Sequence, residues 1–92
     1  MDPIVIEKTQ LKKTDKAGGY SVMVYDNETT PVNDVIGVFI VSCGYDDKKA
    51  TEYTKLIQRY GMYECYWGSQ DRCMEVISDF KKVGVRAELL TN

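Results

Sequence analysis

A chain of 92 residues makes one domain at most, and it buries only about 60% of its unfolded surface, which leaves little core to spare for a deep active site. Its 12 basic and 14 acidic residues give a net charge of −2, which argues against the clustered cations of a non-specific nucleic-acid binder. It has no histidine, hence neither the usual general base nor the commonest metal ligand, and it has no apolar run of the ~18 residues that span a membrane.

Residues 1–19 read as a mobile N-terminal arm ahead of a core domain at 20–92. The arm holds Pro3, the polar run Lys12-Lys13-Thr14-Asp15-Lys16 and the turn pair Gly18-Gly19, and only Ile4-Val5-Ile6 is apolar. Asp2 and Glu7, without a long apolar stretch, argue against a signal peptide. Tyr20 to Tyr25 reads as a strand with Tyr20, Val22 and Val24 on one face. The polar turn from Asp26 to Thr29 ends it. Thr30 suits a helix N-cap and Pro31 the first helical position, where its missing N–H costs nothing. Val35, Ile36, Phe39, Ile40 and Cys43 have the spacing of a buried helix face, and Gly44 stops the helix.

Asp46 caps a second helix with an apolar stripe of Ala50, Tyr53, Ile57 and Tyr60, ended by Gly61. Met62 to Trp67 alternates as a strand, with Tyr63, Cys65 and Trp67 expected on one face. Ser69 caps a third helix whose core residues are Cys73, Val76, Ile77 and Phe80, and Gly84 ends it. Val85 to Leu90 forms the last strand, with Val85, Ala87 and Leu89 turned inward. The fold class is α+β, in the order β-α-α-β-α-β, with one sheet face buried against the helices in two layers. Cys43, Cys65 and Cys73 have gaps that fit neither a zinc ribbon nor a redox pair, so they read as buried thiols in a reducing compartment, cytoplasmic or stroma-like. No metal or cofactor is expected.

The stretch Val24-Tyr25-Asp26-Asn27-Glu28-Thr29-Thr30-Pro31 resembles the signature loop of the ClpS adaptors, a strand ending in Asn and acidic residues, then Thr-Pro and a helix. The match continues without a gap through Val35-Ile36, Tyr45-Asp46, Ala50-Thr51 and Gly61, and as a pattern it covers about residues 20–90. The resemblance implies a three-stranded antiparallel sheet with the first strand central and helices on one face. The C-terminal domain of the bacterial ribosomal stalk protein shares that shape, but it lacks the polar turn with Thr-Pro and is rich in Ala, Lys and Glu rather than Tyr.

The resemblance also implies a monomeric adaptor. Such an adaptor binds destabilising N-terminal residues of substrate proteins and delivers them to the N-domain of a Clp AAA+ unfoldase. Its α-amine contacts would be Asp26, Asn27, Thr30 and Gln58, and its side-chain pocket Val32, Val35, Thr54 and Leu89. Asp71 falls at an acidic unfoldase contact, and the arm would engage the unfoldase. Asp26 and Asn27 exchange the family's Asn and Asp, Gln58 stands for its His, and Val32 and Thr54 stand for two Met residues. Val76 stands where a docking Lys is expected.

Plainer readings exist for the same residues. Asp26-Asn27-Glu28 is also an ordinary polar turn, and Thr30 an ordinary cap. Thr54 and Gln58 would serve as solvated flanks, and Val32, Val35 and Leu89 as core. Tyr60, Tyr63, Tyr66 and Trp67 lack the basic partners of a base-stacking platform. The departures from the family leave a second function open, an interaction or inhibitory module that binds a Clp chaperone or another protein without recognising N-termini. No nucleophile–base pair is visible, so an enzyme ranks third.

Overall fold

A computed structural model describes residues 19–91; the expected arm lies, except for Gly19, outside the described residues. The elements are β1 (Tyr20–Tyr25), α1 (Val32–Cys43), α2 (Asp47–Tyr60), β2 (Met62–Gly68), α3 (Gln70–Lys82) and β3 (Ala87–Thr91). The sheet is antiparallel with order β2-β1-β3, so the first strand is central. Among the described residues no helix is long and apolar enough to cross a membrane.

The local rules of the sequence explain most of these boundaries. The Asp46 carboxylate accepts from the Lys49 N–H at 2.8 Å, and the Ser69 hydroxyl accepts from the Arg72 N–H at 3.2 Å, so both helices start on side-chain caps. Gly61 ends α2 with φ +85°, a conformation that a side chain would strain. The α3 end is less abrupt. The Val85 N–H still donates to the Phe80 carbonyl at 2.9 Å, so Val85 belongs to the turn that closes the helix, and β3 starts two residues later than alternation suggests.

The core is the helix-facing side of the sheet. Val22 and Val24 of β1 are fully buried against Phe39 of α1, Ala50 and Ile57 of α2, and Val76 and Phe80 of α3. Phe39 and Phe80 meet edge to face with centroids 5.2 Å apart, the geometry aromatic pairs prefer. Cys65 and Cys73 are buried and Cys43 half-buried; burial raises all three thiols and pushes Cys43 up to about 12.

Three expectations are corrected. The register slips between Val22 and Met23, leaving Cys65 as the extra residue of a bulge on β2. The bulge resets the alternation. Tyr63 pairs with Val24 and Tyr66 with Val22, while Trp67 pairs with Ser21 on the opposite face from Tyr63. On α2 the buried row is Ala50, Thr54 and Ile57, and Tyr60 is exposed, stacked on Tyr63. Thr30 does not cap α1. Pro31 is the N-cap residue, with no side-chain cap bond, and the Thr30 hydroxyl donates instead to the Val83 carbonyl at 2.9 Å.

Candidate functional site

A cavity of about 360 Å³ opens where the C-terminal end of β1 meets the start of α1 and the last turns of α2. Its deep wall comes from Val24, Ile57 and Val85, all buried, with half-buried Val35 and the Thr54 side chain. Its rim is polar: Asp26, Asn27, Glu28 and Gln58, with Val32 at 45% exposure. Among the described residues no basic side chain lines it. The site is thus an apolar hole beside two exposed carboxylates.

The loop from Asp26 to Pro31 is fixed at several points. The Asp26 N–H donates to the Gly61 carbonyl at 2.9 Å, which ties the start of the loop to the end of α2. That contact brings Asp26 to the same rim as Gln58, one turn earlier on α2. The Asn27 Oδ1 accepts from the Thr29 N–H at 3.0 Å and the Thr30 N–H at 2.8 Å, and its Nδ2 donates to the Gly84 carbonyl at 2.8 Å. Asn27 therefore shapes the loop with the oxygen that an amine contact would need. Among the described residues the side chains of Asp26, Glu28 and Gln58 have no hydrogen-bond or ion-pair partner, so these three are the rim groups open to a ligand.

Of the eight residues named for the amine site and pocket, seven line this one cavity: Asp26, Asn27, Thr30, Val32, Val35, Thr54 and Gln58. Leu89 does not. It pairs with Val22, two residues up β1 from Val24, and packs on the core. Val85, just before β3, supplies the wall instead. The wall residues Val24 and Ile57 and the rim residues Tyr25 and Glu28 also went unnamed. The first two carried a signal as inward-facing core positions next to the polar turn. Tyr25 is held from outside, donating to the Glu88 carboxylate at 2.8 Å with the Arg86 guanidinium 4.5 Å from its ring centre. Burial and the Glu88 bond raise its phenol, against the lowering effect of Arg86. Asp71 is exposed on the first turn of α3 and takes no part in the cavity, while Val76 is fully buried in the core.

The family described as ATP-dependent Clp protease adaptor protein ClpS matches residues 15–88, most of the chain. This chain belongs to the ClpS family. The structure of Agrobacterium tumefaciens ClpS2 bound to L-phenylalaninamide has the same fold, with a TM-score of 0.69 at 16% identity over 79% of this chain and 95% of that one. No curated protein matches. Family membership makes the chain a Clp protease adaptor in the general sense, a protein that works with Clp proteases and their unfoldases. As in the ClpS2 structure, three antiparallel strands carry helices on one side.

Proposed function

We propose that this ClpS-family adaptor binds the first residue of substrate proteins in the 360 Å³ cavity and delivers those proteins to a Clp AAA+ unfoldase. The observation that carries the reading is the pairing of a buried apolar wall with a carboxylate rim that no cation among the described residues neutralises. A free N-terminal residue presents that chemistry, an ammonium and an apolar side chain on the same carbon. The ligand named with ClpS2, L-phenylalaninamide, has the same two parts.

Asp26 takes the ammonium as a charged acceptor, and Gln58 adds a neutral acceptor oxygen from α2. Asn27 and Thr30 act indirectly, by holding the loop. The side chain enters between Val24, Val35, Ile57 and Val85, with Val32 at the rim and Thr54 beside the hole. Asp71, exposed on α3, serves as the unfoldase contact. The protein works as a monomer in a cytoplasmic or stroma-like compartment.

A second reading, an interaction or inhibitory module that ignores N-termini, is favoured by one observation: the Asn27 oxygen already accepts two backbone N–H groups. One titration separates the two. Short peptides differing only in the first residue, each free and acetylated, are titrated into the full chain. Adaptor function predicts binding of free peptides with bulky apolar first residues and loss on acetylation. Equal binding of free and acetylated peptides would transfer the conclusion to the interaction module.

A further inference from the structure

The rim carboxylates sit on a loop, and a loop places a charge well only if something fixes it. Two bonds from the loop end on adjacent carbonyls of a single turn. The Asn27 Nδ2 donates to the Gly84 carbonyl at 2.8 Å, and the Thr30 hydroxyl donates to the Val83 carbonyl at 2.9 Å. Val83 and Gly84 follow the last residue of α3, where carbonyls lack intrahelical partners and accept from outside. Gly84 has φ +84°, and a Cβ there would stand 3.3 Å from the Thr30 Oγ1, so the turn is shaped around the threonine. The next residue, Val85, is wall of the cavity.

We infer that the Val83-Gly84 turn is a positioning element of this site: through Asn27 and Thr30 it holds the rim carboxylates in register with the apolar wall that Val85 supplies. The turn touches no ligand. It sets where Asp26 and Glu28 stand relative to the hole, and it does so from the end of α3, the helix whose other end carries Asp71. The ligand in this inference rests on the proposed adaptor reading; the clamp itself does not.

The test uses Thr30→Val, which keeps the shape and deletes the hydroxyl, and Thr30→Ser, which keeps the hydroxyl. The first readout is amide exchange at Thr30, whose N–H is held by the Asn27 Oδ1 at 2.8 Å. The second is the ratio of affinities for a Leu-first peptide, free over acetylated. Thr30→Val is expected to speed Thr30 exchange and to cut the affinity ratio by about tenfold, the worth of one net hydrogen bond at its upper range, while Ile57 and Phe80 amides keep their protection. Thr30→Ser is expected to stay within about twofold of the original chain in both readouts. Unchanged exchange at Thr30 in the valine variant overturns the clamp. Faster exchange with an unchanged ratio overturns its role in the site. If the original chain itself shows no preference for the free amine, the adaptor reading falls, and Thr30 exchange alone decides the clamp.

Discussion

The Thr54 hydroxyl donates to the Ala50 carbonyl one helical turn earlier, at 2.8 Å. Thr54 is 4% exposed and lines the cavity, so this bond decides how polar the hole is. A hydroxyl in place of the family's thioether would, if left without a partner, make the pocket more polar and weaken apolar ligands. The donor is already satisfied within α2, and an apolar ligand leaves no buried O–H unpaired. Thr54→Val should therefore leave the affinity ranking of Leu-, Phe- and Ile-first peptides intact, each within about twofold, by titration. A tenfold gain for apolar peptides in this variant would show that the hydroxyl does oppose them.

Val32 stands at the rim, 45% exposed, where it is short enough to leave the mouth wide. The double change Val32→Met with Thr54→Met adds bulk at the mouth and the wall. Branched first residues, Ile and Val, should lose affinity relative to Leu and Phe, by roughly the 1–3 kcal/mol that an apolar pocket assigns to a methylene. Titration of Leu-, Phe-, Ile-, Val- and Ala-first peptides reads the ranking. An unchanged ranking would mean that side chains do not enter between these two positions.

Asp26 and Glu28 both reach the rim, but only Asp26 is anchored to α2, through its own N–H and the Gly61 carbonyl at 2.9 Å. That anchor holds Asp26 beside Gln58. Asp26→Ala should cost about 1.5–3 kcal/mol of binding to free N-termini, the range for a hydrogen bond to a charged group. Glu28→Ala should cost less than half of that. Equal losses from the two variants would indicate a diffuse negative rim rather than an oriented contact.

How much of this was legible in the sequence depends on the range of the interaction. The caps at Asp46 and Ser69 and the stop at Gly61 are local, and they stand where the local signals put them. The bulge at Cys65 has no local signature, so the face of Trp67 came out reversed. Asn27 and Thr30 were picked out by the loop's resemblance to the ClpS signature, yet their partners lie more than 50 positions away, at Gly84 and Val83. No periodicity reaches that far, and Thr30 read as a cap. Leu89 was correctly turned inward, but the register sets it opposite Val22 while the cavity lies beside Val24. Two residues along a strand is about 7 Å, enough to put Leu89 outside the hole and Val85 in its wall.

The last prediction concerns acid. The Ser42 hydroxyl donates to the Asp79 carboxylate at 2.5 Å, and that bond lowers the Asp79 carboxyl below its ordinary 3.8, with Lys82 adding to the effect and partial burial opposing it. Glu88 is lowered below 4.5 by its bonds from Arg86 and Tyr25. A carboxyl held down in the folded state binds protons more readily when unfolded. Its stabilisation is therefore complete above the unfolded value and is lost as pH falls through the folded one. The loss should begin near pH 4–5, about the ordinary carboxyl values, and continue below them. Urea midpoints taken from about pH 6 down to about pH 3 should fall less steeply in Asp79→Asn with Glu88→Gln than in the original chain. The other carboxylates supply a background slope common to both proteins, so the difference isolates these two groups. Parallel slopes would mean that the Ser42 and Tyr25 bonds exist equally well with protonated partners, and that neither ties α1 or the sheet edge to the ionised form.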